Sequence, residues 1–241
     1  MVTQTLLGRP ASRPSGFSAI AGITFLKNHS DLNPPAALEQ GLGLAVGPKG
    51  VGMFLALHRP RTKDIVPESI QEVAYLVWPV IAQDPAFSAN ITEMGKELLI
   101  EESQRMIGPW ASFYKTMIER TERNTLAAIN FVYPGAMIPW PKSRLTLIGD
   151  AVHPMPPTAG AGASTAIIDA LNLVDLLRSE SWSEALEQYR DRMLGYAPIA
   201  VNLSRPALVW QVRFGNTVLR RVALSIGLPL VGMVVRVLRR K

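Results

Sequence analysis

Asp150 is the residue in this chain whose type and setting most directly suggest chemistry. It follows Gly149 at the end of a short apolar run, Leu145–Ile148, and precedes a loop that holds Pro154, Pro156, Pro157, Gly160 and Gly162. A carboxylate at a strand end can accept hydrogen bonds from a pair of sugar or sugar-alcohol hydroxyls. The prolines fix φ and stiffen the loop, which limits the entropy lost when a ligand docks. Gly160 and Gly162 permit close backbone approach or positive φ. The spacing predicts a long apolar helix from about Ala163, with Ser164 or Thr165 placed to cap it. Its first N–H groups and its dipole favour negative charge at the loop. Strand, acid, tight loop and helix N-terminus in this order suit a grip on a polar cofactor at the carboxyl end of a strand. An ordinary strand–loop–helix connection, with the aspartate capping something local, has the same outline.

The elements that must position this segment read as strands first and helices later. Phe17–Leu26, Leu42–Val46 and Val51–Leu57 are strand candidates, and Gly47–Gly50 reads as a hairpin turn between the last two. Gln71–Val80 is a further strand stopped near Pro79, followed by helices over 91–107 and 110–122 and a strand over 125–133. Helices are expected at about 163–178 and 182–195, then a helical tail. On the first of these, Asp169, Asn172 and Asp175 lie on a polar stripe of an otherwise apolar helix. Trp78, Trp110 and Trp140 suit either an aromatic-lined cavity or core filling.

Composition excludes several classes. The 241 residues contain no cysteine, so disulfides and thiolate metal sites are absent. His29, His58 and His153 lack metal-ligand spacing, and no metal is assigned. From Arg205 to Lys241 there are eight basic residues and no acidic one, an excess larger than the whole-chain charge of +6. Residues 222–235 are uncharged and mostly apolar, yet short of the roughly twenty needed to span a bilayer. Two readings of this tail stand: a helix pair packing on the preceding domain, or a surface helix at residues 222–241 meeting anionic lipid. Nucleic acid is not expected, because the basic residues alternate with apolar ones and no binding motif accompanies them.

The segment around Asp150 resembles the second flavin motif of the FAD-dependent aromatic hydroxylases, the para-hydroxybenzoate hydroxylase-like family. Gly149, Asp150, Ala151, Val152, His153, Pro157, Gly160, Gly162, Asp169 and Ala170 match it in type and spacing. Ser164 departs from it, since many relatives carry asparagine there. The resemblance implies that Asp150 bonds the ribityl chain of FAD and that Pro157 lies beside the isoalloxazine ring. The backbone of Gly162, Ala163 and Ser164 would face the flavin's pyrimidine edge, Gly149 and Gly160 would complete the cofactor-binding set, and Asp169 would be a buried hydrogen-bonding partner. His153 would belong to the loop's packing; no catalytic residue is assigned. The implied fold class is α/β: an α+β substrate sheet plus part of an FAD-binding domain. Residues 1–141 would form the substrate domain, 142–180 the C-terminal part of the FAD-binding domain, and 181–241 the C-terminal helices with the basic tail.

The implied activity is a cytoplasmic, possible membrane-surface flavin monooxygenase. NAD(P)H would reduce FAD, and one oxygen atom of O2 would pass to an aromatic or polyene small molecule. Such families open with a βαβ unit bearing Gly-x-Gly-x-x-Gly, and carry a middle Asp-Gly motif. Neither occurs in this chain. The resemblance therefore extends to the C-terminal portion of such an enzyme. It leaves as the alternative a non-catalytic remnant, or half of a split flavoprotein that needs a Rossmann partner.

Overall fold

The structure, a computed structural model, describes residues 10–27, 31–60 and 73–213, together with Gln4, Leu6 and Gly8. His29 and the 222–241 segment lie outside the described residues. Five strands form one sheet in the order β2-β3-β4-β1-β5: β1 (Ser12–Phe25), β2 (Gly43–Val46), β3 (Gly52–His58), β4 (Tyr75–Gln83) and β5 (Ala127–Pro134). Among the described residues four α-helices follow the same numbering: α1 (Lys96–Ile107), α2 (Ser112–Glu119), α3 (Ala161–Ser179) and α4 (Trp182–Arg213). The fold is therefore the mixed α/β class expected, with an antiparallel hairpin at one sheet edge.

The chain divides into two compact units. One, the motif unit, joins Met1–Phe17 with Asn130–Val209; the other, the sheet unit, joins Ser18–Ile129 with the residues from Trp210 onward. The division is discontinuous in sequence.

In the sheet unit, β1 buries alternate positions, Ser18, Ile20, Gly22 and Thr24, as a strand with one face on a core must. Against that face sits Trp78, fully buried, its Nε1–H shared between Thr24 Oγ1 (3.2 Å) and Thr121 Oγ1 (3.0 Å). Gly22 is what admits it: a Cβ there would stand 2.6 Å from Thr121 Cγ2 and 2.9 Å from the Trp78 ring. The β2–β3 hairpin closes as expected at Pro48–Gly50, where Lys49 takes φ +59° and Gly50 φ +74°. β4 runs on through Pro79 to Gln83 rather than stopping. Its ladder with β3 pairs Val77 with Ala56 and Val80 with Met53 but leaves out Trp78 and Pro79, since proline has no N–H to give. The helix expected over 91–107 breaks at Gly95 into a 3-10 turn (Ile91–Glu93) and α1.

The motif unit has its own core of Trp140, Leu147, Val152, Leu176, Ala185, Tyr189, Met193 and Ala197. Trp78 and Trp140 thus each fill a hydrophobic core. Instead of two helices, α4 is one helix of 32 residues with Pro198 and Pro206 inside it. Leu145–Ile148 is not a strand. The run is extended at Ile148 (φ −131°, ψ 156°) but pairs with no strand among the described residues, and Leu145 and Ile148 are exposed.

Candidate functional site

Gly149 to Ala151 form a 3-10 turn whose geometry is set from outside the turn. Gly149 adopts φ +56°, the left-handed region that glycine enters without strain. Its carbonyl accepts from the N–H groups of Val152 and His153, both at 3.0 Å. Its own N–H donates to Asp169 Oδ2 at 2.8 Å. Both polar groups of Gly149 are spent internally, so this residue shapes the turn and offers a ligand nothing.

Asp169, on α3, is the centre of a buried network. Besides Gly149 it holds His153 Nε2 at 2.7 Å, and its Oδ1 accepts from the Tyr196 hydroxyl at 2.6 Å. Asp169 and His153 are fully buried. A carboxylate can only accept, so Nε2 carries the proton towards it; Nδ1 is buried with no partner among the described residues. Burial pushes the Asp169 carboxyl up, but hydrogen bonds from His153, Tyr196 and Gly149 outweigh it and hold the group below the ordinary carboxyl range. Burial and the neighbouring carboxylate push the Tyr196 phenol well up, so it stays a neutral donor. Tyr189 adds a second brace, donating to the Leu147 carbonyl at 3.0 Å. Asp169 is thus the buried partner expected, and His153 packs the loop. Tyr189 and Tyr196 were not singled out from the sequence. The available signal was their seven-residue spacing, which puts both on one face of a helix.

With the turn fixed, Asp150 points its carboxylate into solvent, exposed and without a hydrogen-bond partner among the described residues. Pro157 opens a second 3-10 turn (Pro157–Ala159), which ends at Gly160 in the left-handed conformation (φ +62°). Gly160 is also the N-cap of α3, which starts at Ala161 rather than Ala163. Starting earlier puts Ser164 and Thr165 inside the first turn. Their hydroxyls donate back to the Ala161 carbonyl, at 3.0 and 2.7 Å, instead of capping. The helix N-terminus therefore has no side-chain cap. A Cβ on Gly160 would meet nothing within 4 Å, and one on Gly162 only Met155 Cγ at 3.8 Å, so the approach is open. Asp150, Pro157, Gly160, Ala163 and Ser164 are exposed and Gly162 is half-buried. An unpaired carboxylate beside an uncapped nineteen-residue helix fits a ligand with hydroxyls and a group that bears negative charge. Among the described residues no three His, Cys, Asp or Glu side chains group to hold a metal.

An open cleft of about 610 Å³ in the sheet unit, bordered by Ser88, Asn90, Glu93 and Leu98, has no such free group in Glu102. That carboxylate is engaged by Arg105 and by the Ser88 N–H and hydroxyl, and Arg105 with Ser88 holds it below the usual range.

Residues 136–201 match the FAD binding domain family, a span that contains the whole Asp150 turn and its Asp169–Tyr196 support. The relatives and solved structures that the chain resembles include FAD-dependent monooxygenases of the aromatic-hydroxylase type. It is 25% identical over 143 residues to the chloroplastic zeaxanthin epoxidase of Arabidopsis thaliana, covering 52% of this chain and 21% of that one. It is 35% identical over 81 residues to a salicyloyl-CoA 5-hydroxylase of Streptomyces, covering 33% and 16%. A protein of Photorhabdus luminescens described as an FAD-containing monooxygenase superposes with a TM-score of 0.74 at 27% identity, over 88% of this chain and 59% of that one. Klebsiella pneumoniae HpxO complexed with FAD shares the fold (TM-score 0.67, 19% identity, 87% and 49% covered). The chain spans about a fifth of the zeaxanthin epoxidase and 59% of the Photorhabdus protein. FAD is the cofactor of this monooxygenase group, and Asp150 lies within the part of the chain that matches its binding domain.

Proposed function

We propose that the chain contributes the ribityl- and ring-side part of an FAD site in a monooxygenase that uses NAD(P)H and O2 to oxygenate an aromatic or alkene small molecule. The observation that carries this reading is the unpartnered, exposed Asp150 carboxylate on a turn locked by Asp169 of α3, a helix whose N-terminus is uncapped. FAD, when bound, supplies the redox chemistry and the oxygen transfer. Asp150 accepts hydrogen bonds from the ribityl hydroxyls, and Pro157 flanks the ring. The N–H groups from Gly162 to Ser164 and the helix dipole favour negative charge on the ring's pyrimidine edge. Asp169, His153 and Tyr196 act behind the turn by holding Gly149 in its left-handed conformation.

A second reading has its own support. Ile167, Ile168, Leu171 and Val174 leave an apolar face on α3 exposed, and Leu145–Ile148 is extended without a strand partner. Such a face suits a Gly-x-Gly-x-x-Gly βαβ unit, which would bring the pyrophosphate and adenosine contacts. Three charge-assisted hydrogen bonds at about 1.5–3 kcal/mol each amount to several orders of magnitude in affinity. The 241-residue chain on its own is therefore expected to bind FAD weakly. Titration of FAD into the purified chain, followed by flavin fluorescence and repeated with Asp150→Ala, tests both readings. Weak binding that Asp150→Ala abolishes supports the site. Tight, stoichiometric binding overturns the need for a Rossmann partner, and binding indifferent to Asp150→Ala overturns the role of Asp150.

A further inference from the structure

Three elements of the motif unit meet at Tyr133. The Arg13 guanidinium carbon, from β1, lies 5.8 Å from the ring centroid, and that of Arg205, from α4, lies 5.0 Å from it. Both are within cation–π range. The two cations are consequently held within about 11 Å of each other, roughly one Debye length at ordinary salt. Neither has a carboxylate partner among the described residues, whereas Arg59, Arg105, Arg120, Arg123 and Arg190 all do. Burial pushes the Tyr133 phenol up although both arginines pull it down, so it remains a protonated hydroxyl beside them.

The cluster is also tied to the loop that follows Asp150. Thr158 Oγ1 donates to the carbonyl of Ser204, the residue before Arg205, at 2.6 Å. Arg205 is thus anchored through its neighbour to the Pro157–Ala159 turn that leads into the uncapped N-terminus of α3.

We propose that Arg13, Arg205 and Tyr133 form a recognition site for an oxyanion, the carboxylate or phosphate of a small molecule that reacts beside the Asp150 loop. Two guanidiniums braced on one ring lose little freedom when they close on a two-oxygen acceptor, and the planar fork of arginine matches that acceptor. Tyr133 holds the forks and adds a neutral hydroxyl. The site would select acidic over neutral ligands. An acidic substrate and a nucleotide phosphate present the same chemistry. The proposal is independent of flavin binding, because the three side chains and their geometry belong to the chain alone.

The test is calorimetric titration of the purified chain, without flavin, using benzoate, inorganic pyrophosphate and the neutral isostere benzamide. Benzoate or pyrophosphate should bind, with affinity falling as salt rises, while benzamide should not. Arg13→Gln and Arg205→Gln should each weaken binding by about tenfold or more. Tyr133→Phe should keep most of the affinity, and Tyr133→Leu should lose it. Stronger binding of benzoate assigns the site to a carboxylate ligand, and stronger binding of pyrophosphate assigns it to a phosphate. Failure of both anions to bind, or binding left unchanged by the double arginine substitution, overturns the proposal. So does equal binding of benzamide and benzoate by the unaltered chain, a comparison that needs no variant to fold.

Discussion

The two units solve the problem of burial differently. In the sheet unit Ile20, Met53, Leu76, Trp78, Ile107, Met117 and Ile118 are sealed, and among its described residues the exposed large apolar ones are Leu42, Leu44, Leu98 and Ile129. The motif unit seals a smaller core, yet eleven such residues are exposed among its described residues, from Ile138 and Leu145 through the α3 face to Ile199, Leu203 and Val209 on α4. Scattered exposed leucines mean little, but a row of them on one helix face marks a contact surface. One unit seals most of its described apolar residues; the other leaves a row of them exposed along α3.

The largest effect should come from breaking the sealed side. Trp78→Ala empties a large, fully packed volume and removes the indole N–H that the hydroxyls of Thr24 and Thr121 share, although both keep the Met117 carbonyl. It should cost ~3–5 kcal/mol in urea unfolding. A cost below ~1 kcal/mol would show the sheet unit to be as loosely made as the motif unit. Asp169→Ala comes next, at ~3 kcal/mol, because three donors lose their acceptor in a dry site. Hydrogen exchange at the Gly149 amide should accelerate in that variant, and an unchanged rate would contradict the lock described for the turn.

The same carboxylate sets a pH dependence. Its folded pKa lies below the unfolded value, so its contribution is present above about pH 4 and is lost as pH falls through the folded pKa. Acid titration of stability should therefore be steeper for the unaltered chain than for Asp169→Asn. Tyr196→Phe removes one hydrogen bond and should cost ~1 kcal/mol, measured by thermal melting. The smallest effect is expected on the open face. Leu171→Lys should change stability by less than ~0.5 kcal/mol while reducing self-association in sedimentation. A large destabilisation there would mean that the α3 face is covered within this chain.

What was legible in the sequence follows the same divide. The Gly149–Asp150 turn, its glycines and Asp169 could be read because their roles rest on local backbone freedom and on fixed spacing. The hairpin at Pro48–Gly50 was legible for the same reason. Ser164 and Thr165 were misread as caps because helix starts depend on which turn the loop allows, and Gly160 in the left-handed conformation begins α3 earlier. Leu145–Ile148 has the composition of a strand, but composition does not supply the neighbour that makes one. Pro79 read as a stop, since proline cannot donate to a ladder; β4 passes it by omitting two pairs. Tyr196 was invisible because its partner lies 27 positions away on another helix.

Gln211 adds a matter of timing. Its side-chain amide donates to the carbonyls of Gly50 and Ile81, at 2.8 and 2.7 Å, so the sheet unit is completed by a residue 161 positions after the hairpin it binds. All five strands leave the ribosome before it does. At about 5–20 residues per second, the sheet waits on the order of ten seconds with those carbonyls unanswered. During that interval the nascent chain has β2–β3 formed but unfastened, and this is when a chaperone, or a neighbouring chain on the same messenger, has its opening.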